Sequence, residues 1–304
     1  MKKEAKLILG GGAAYGLAHI GVLEAIAEEY TVTGIVGTSM GAIVGGLYAQ
    51  GKTPREILEL ALDSRSALIF NPLVVPALPK ILSTNLLSGL HSQRTVLGLF
   101  NKWTGKALIE ELPIPFVAVA FDLKQSKTVL IDKGRLADAM RASSSLPLVF
   151  PPHRMGKYLF IDGGIEHPLP LAFQSSVPGD ITIAVNVLPR VSTHAEKIVL
   201  GGEGDKERLW PHQVVIQSVL QNQGYVAIQA MLQNPPDLFI DAHDPDKKMF
   251  DLFEARDFYQ YGYKAARASL EHFSEPSFME HLIKGYQGLI SRFGRNEKNP
   301  HHEQ

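Results

Sequence analysis

Ser39 stands in Gly37-Thr38-Ser39-Met40-Gly41, a G-x-S-x-G pattern. A serine hydroxyl is a weak nucleophile, so this spacing has a chemical purpose. A Ser at a tight strand-to-helix turn is held in strained backbone, and glycines on either side remove side chains that would clash. The hydroxyl then projects at a helix N-terminus, where unpaired N–H groups and the helix dipole favour developing negative charge. The same five residues also suit a Gly-rich turn with an N-capping Ser. The β-branched run Val32 to Val36 before them and the helical pattern Met40 to Gln50 after them favour the nucleophile.

A second cluster, Gly10-Gly11-Gly12-Ala13-Ala14-Tyr15-Gly16, lies upstream. It fails the dinucleotide fingerprint in both registers, and no Gly-Lys-Ser/Thr follows to make a P-loop. It still places several backbone N–H groups at the start of a helix. In acyl transfer the anion to be held is the tetrahedral oxyanion, and one such donor is worth about 2.7–4 kcal/mol of barrier. The third cluster is Asp162-Gly163-Gly164, directly after the strand pattern Tyr158 to Ile161. The C-terminal end of a strand in an open α/β sheet is where ligands bind. His167, His194 and His212 follow Asp162 and fit the Ser-Asp-His order of α/β-hydrolases. That fold, however, carries several strands before its Ser, and here only one strand–helix unit precedes Ser39.

The order of these clusters resembles the patatin-like phospholipase family, from about Leu7 to Arg267. Further matches are Leu17-Ala18-His19-Ile20-Gly21-Val22-Leu23, Arg141-Ala142-Ser143-Ser144-Ser145-Leu146-Pro147, Phe150-Pro151-Pro152 and Leu169-Pro170. The resemblance implies a Ser39–Asp162 dyad without a catalytic His. It also implies an oxyanion hole of backbone N–H groups around Gly10, Gly11 and Gly12, with Gly37, Gly41, Gly163 and Gly164 supporting the motifs. It implies no metal and no cofactor. Two positions depart from the family pattern. Tyr15 stands where the family has Arg or Lys, which removes a cation from the site and with it the expectation of an anionic headgroup. Glu166-His167-Pro168 stands where many members carry Asn, and His167 reads as a loop residue rather than a base. In the implied mechanism Asp162 takes the Ser39 proton. Burial is expected to raise its pKa, so activity should fall at acid pH.

These residues need a scaffold of alternating elements. Lys6 to Leu9 reads as a strand and Gly16 to Glu29 as an amphipathic helix. Val32 to Val36 is a strand and Met40 to Gln50 a helix ended by Gly51. Thr53-Pro54-Arg55-Glu56 is a capping box opening a third helix. Residues 64–105 are less regular. Strands are expected over Phe116 to Phe121, Thr128 to Asp132, Tyr158 to Ile161, Ile181 to Val187 and Leu238 to Ile240. Helices are expected over Arg135 to Ala142, Gln213 to Gln233 and Asp257 to Phe273. The alternation predicts an α/β fold, a largely parallel central sheet with helices on both faces. One domain over 5–293 is expected, with a surface loop at Gly201 to Arg208 and a frayed polar tail over 294–304.

The 304 residues carry 30 Lys+Arg against 31 Asp+Glu, and no Cys. Near-neutral charge argues against nucleic acid as a partner. The absence of Cys excludes disulfides, Cys-ligated metal and a thiol nucleophile. No apolar stretch is long enough for a spanning helix and the start lacks a signal-peptide core, so a cytoplasmic protein in peripheral contact with membranes is expected. Ala67 to Pro76 is apolar and broken by Pro72 and Pro76, which suits an acyl wall, an interfacial patch or buried core. A lipid or other ester is the expected substrate. The competing functions are an acyltransferase with a thioester donor, for which Arg141 is a candidate carboxylate ligand, and a non-catalytic lipid-binding regulator on the same fold. Oligomeric state has no signature in the sequence.

Overall fold

Leu7, Ile8 and Leu9 are all fully buried, the mark of a strand covered on both faces rather than one. They end the first strand of a computed structural model that describes residues 2–63, 93–147, 149–189, 211–247 and 252–273. In chain order the main elements begin with β1 (Lys3–Leu9), α1 (Ala18–Glu29), β2 (Tyr30–Thr38), α2 (Met40–Ala49) and α3 (Pro54–Leu62). Then come α4 (Gln93–Thr104), β3 (Phe116–Asp122), β4 (Lys127–Ile131), α5 (Leu136–Ser143), β5 (His153–Met155) and β6 (Tyr158–Asp162). β7 (Ile181–Asn186), α6 (Pro211–Gln233), β8 (Leu238–Asp241) and α7 (Ala255–Phe273) complete the set.

The strands form one sheet. β3, β2, β1, β7 and β8 are parallel neighbours in that order. β4 and β6 add antiparallel pairs on β3, and β5 pairs antiparallel with β6. The mostly parallel α/β sheet is the fold expected from the alternation of strand and helix patterns.

One detail of register positions the site. β4 lines one edge of β3 from Ala118 to Asp122. The other edge is shared. β2 occupies it up to Thr38 opposite Val119, and β6 takes over with Asp162 opposite Ala120. β2 runs parallel to β3 and β6 antiparallel, so their C-terminal ends meet head to head. Residues at the ends of these two strands, far apart in sequence, become neighbours.

The elements follow local rules. In α3, Glu56 N donates to Thr53 Oγ1 at 3.2 Å and Thr53 N donates to Glu56 Oε2 at 2.8 Å, the reciprocal bonds of the expected capping box. The first expected helix starts differently: Ala13–Leu17 is a 3-10 turn and the α-helix begins at Ala18. The stretch read as irregular contains α4, whose Val96, Leu99, Phe100 and Trp103 are buried at helical spacing. β5, only three residues long, had no pattern to announce it. Ala67 to Pro76, Gly201 to Arg208, the 294–304 tail, His194, His301 and His302 lie outside the described residues.

Candidate active site

β2 delivers Ser39 into backbone that few residues adopt, φ 55° and ψ −121°. Its carbonyl accepts from Ala42 N and Ile43 N and so starts α2. Its N–H donates to Ser143 Oγ at 2.9 Å, and Ser143 Oγ donates to Val119 O at 2.6 Å. The C-terminal residue of α5 therefore ties the turn to β3. The flanking glycines are required by close approach. A Cβ on Gly37 would lie 2.6 Å from Gly41 O, and one on Gly41 would lie 2.6 Å from Gly10 O and run into Leu9 O.

The head-to-head strands place Asp162 beside this turn. Ser39 Oγ donates to Asp162 Oδ2 at 2.6 Å. The other carboxylate oxygen, Oδ1, accepts from Gly164 N at 2.8 Å, and Asp162 N donates to Ser145 O at 3.1 Å. A Cβ on Gly163 would collide with Val119 O, so only glycine lets the chain turn here against β3. Asp162 is buried, and burial pushes its carboxyl up from 3.8 to about 6 against the opposing pull of the Ser39 and Gly164 hydrogen bonds. It is thus a much stronger base than a free carboxylate and is still mainly ionised at neutral pH.

The Gly-rich loop passes against the same turn; a Cβ on Gly11 would sit 3.1 Å from Ser39 Cβ. Gly10 N donates to Val185 O at 3.1 Å and Gly11 N to Pro168 O at 2.8 Å. Gly12 N meets no acceptor among the described residues. Met40 N opens α2, where first-turn N–H groups lack helical acceptors. The loop is braced from behind. Buried His19 contacts Gly10 O through Nε2 at 2.8 Å. Burial holds this ring down to about 4, only partly offset by the Gly10 bond, so it is neutral and donates its single N–H to that carbonyl. His19 Nδ1 is buried with no hydrogen-bond partner among the described residues. Nothing in the type or sequence position of His19 signalled that it holds the loop.

The other polar side chains near the site stand apart from the dyad. The His167 carbonyl accepts from Thr38 Oγ1 at 2.9 Å, and its ring packs edge-on against Phe173 at 4.6 Å. Burial lowers its pKa while Glu166 pulls the other way. Asp122 accepts from Lys124 N and Leu159 N and so locks a turn to β6. Arg141 is fully buried and donates to Ser145 Oγ at 2.6 Å and Pro151 O at 2.7 Å. Tyr15 is buried edge-on to His243, with its hydroxyl donating to Lys247 O at 3.2 Å. The His212 side chain lies outside the described residues. Over Ser39 lies a cleft of about 410 Å³, bounded by Ala13, Ile43, Ser144, Phe150 and Leu252 among others. Its described lining carries no charged side chain, which suits an acyl chain.

The chain is similar to several known proteins. Uncharacterized NTE family proteins of Mycobacterium bovis and Mycobacterium tuberculosis are 39% identical over 193 residues, which is 60% of this chain and 48% of theirs. The chain spans about half the length of these relatives. A patatin-like phospholipase domain-containing protein 6 of Mus musculus is 30% identical over 186 residues, 60% of this chain and 13% of that one. Among solved structures, VipD from Legionella pneumophila covers 88% of this chain and 67% of its own, at 13% identity and TM-score 0.39. The ExoU–SpcU complex of Pseudomonas aeruginosa gives 14% identity and TM-score 0.37, covering 88% of this chain and 53% of that one. The family model described as patatin-like phospholipase matches residues 7–173, a span that holds the Gly-rich loop, Ser39 and Asp162, and the chain belongs to that family.

Proposed function

We propose that this protein is a lipid acyl hydrolase, a phospholipase A, lysophospholipase or carboxylesterase, working through an acyl-enzyme on Ser39. The observation that carries this is the 2.6 Å bond from Ser39 Oγ to a buried Asp162 carboxylate whose pKa is raised to about 6. Ser39 Oγ attacks the ester carbonyl while Asp162 Oδ2 takes its proton. The oxyanion is held by an N–H group of the Gly10–Gly12 loop together with that of the residue after Ser39. Gly12 N and Met40 N are the best placed, because Gly10 N and Gly11 N already donate to carbonyls. Collapse expels the alcohol, which leaves with the proton from Asp162. Water then attacks the acyl-enzyme, Asp162 accepts a water proton and returns it to Ser39 Oγ, and the carboxylic acid departs.

The chain forms one catalytic domain over 5–293 with a short tail over 294–304. It acts from the cytoplasmic side on lipids met at a membrane surface. No helix among the described residues is long and apolar enough to cross a membrane. Hydrolysis is favoured over transfer from a thioester, because Arg141, the candidate ligand for a donor carboxylate, is buried and engaged with Ser145 and Pro151. A purely regulatory role has no need of the intact dyad.

A fluorophosphonate probe tests this. It should form one covalent adduct, on Ser39, and hydrolysis of a neutral ester should fall about a thousandfold or more in Ser39→Ala. Full esterase activity in that variant would refute the assignment.

A further inference from the structure

Gly10, Gly11 and Gly12 give their loop no side chain and the least constrained backbone a chain can have. A donor that stabilises a transition state must nevertheless be fixed before the reaction begins. The clamps come from elsewhere, and they fall on consecutive peptide groups. Gly10 N donates to Val185 O at 3.1 Å. The next peptide group is held at both ends. Its N–H, that of Gly11, donates to Pro168 O at 2.8 Å, and its carbonyl, Gly10 O, accepts from His19 Nε2 at 2.8 Å. The peptide group after that carries Gly12 N, which meets no acceptor among the described residues. Any swing of the clamped peptide is passed through Gly11 to Gly12 N.

His19 is the second residue of α1, and helical side chains lean back toward the N-terminus. That carries its ring to the loop from which the same helix springs. The ring is fully buried, and its Nδ1 has no hydrogen-bond partner among the described residues. An apolar side chain of similar size would pack there without burying an unpaired nitrogen, so packing alone does not account for a histidine. What the fold uses is the Nε2–H. We infer that His19 is a positioning residue of the hydrolase: its bond to Gly10 O sets where the Gly12 N–H points and so how well the oxyanion is held. This rests on the acyl-hydrolase function proposed above. His19 is not among the described residues lining the cleft, so its loss should cost transition-state stabilisation rather than substrate binding.

The test compares a short-chain ester with its thionoester, in which sulfur replaces the carbonyl oxygen. Sulfur is a weak hydrogen-bond acceptor, so the ratio of the two kcat/KM values reports the oxyanion donors, and the fraction folded cancels within each enzyme. Wild type should prefer the ester. His19→Leu, which removes the N–H at similar volume, should lower the ester-to-thionoester ratio at least about fivefold, with the ester KM changed less than about twofold. His19→Gln keeps an N–H near the place of Nε2 and should hold the ratio within about twofold of wild type. If His19→Leu does not fold, His19→Asn takes its place; its amide is one methylene short of the carbonyl, and the ratio should fall likewise. An unchanged ratio in the folded, active Leu or Asn variant, or an equal fall in His19→Gln, would overturn the positioning role and leave the hydrolase assignment standing. A wild-type enzyme that hydrolyses no ester and takes no fluorophosphonate would overturn both.

Discussion

At the scale of the residue, Asp162 carries the sharpest consequences. In the proposed mechanism its carboxyl must be ionised to accept the Ser39 proton, so kcat/KM should rise tenfold per pH unit below about 6 and level off above it. A pH–rate profile on a neutral, non-titrating ester checks this. The same shift bears on stability with the opposite benefit. The folded state holds the proton to about 6, whereas an unfolded Asp releases it near 3.8. The stabilisation from binding that proton is fully present below about pH 4 and is lost as pH rises through 6. Burying the charge thus costs on the order of 1–3 kcal/mol at pH 8. Asp162→Asn should therefore abolish turnover, unfold at higher denaturant than the parent at pH 8, and show little advantage at pH 4. Equal effects at both pH values would mean that burial of the charge is not what raises the pKa.

At the scale of elements, the site depends on how closely α2 approaches β1. Gly41 touches the backbone of Leu9 and Gly10, so Gly41→Ala must push the helix start outward. Overpacking of this kind costs about 1–3 kcal/mol, and because Ser39 starts the same helix, kcat should fall by tenfold or more as well. Thermal unfolding and ester kinetics on the one variant check both. This scale also separates what was legible in the sequence from what was not. The parallel units were legible because each carries its own period and its own turn glycines, from Leu7–Gly16 to Val32–Gly41. The partner of Ser39 was not legible from local pattern. Asp162-Gly163-Gly164 is an ordinary turn until β6 is seen to share the edge of β3 with β2, and that long-range register leaves no local signal; only the ordered set of motifs shared with the family pointed to it. The Gly10 and Gly11 N–H groups looked like oxyanion donors because spacing cannot reveal that Val185 and Pro168 carbonyls already engage them. α4 was passed over although its window holds no Pro and Val96, Leu99, Phe100 and Trp103 recur in it at helical spacing.

At the scale of the whole molecule, charge offers little to attract an anionic surface. The chain has net charge −1, the described cleft lining is uncharged, and Tyr15 is buried where the family carries a cation. Lys247, whose carbonyl anchors Tyr15, has its ammonium paired with Asp257 at 2.6 Å and with Glu254. Phe253 is 57% exposed and follows Leu252, which lines the cleft over Ser39. Contact with a lipid surface should accordingly be driven by hydrocarbon insertion rather than by screened charge. Raising salt from about 0.05 to about 0.5 M shortens the screening length severalfold, yet should change vesicle hydrolysis by less than about twofold. Phe253→Asp should slow hydrolysis of neutral vesicles while leaving a water-soluble short-chain ester nearly unaffected, because the side chain lies outside the cleft lining. A steep salt dependence, with Phe253→Asp indistinguishable from the parent on vesicles, would mean that a basic surface elsewhere on the chain makes the contact.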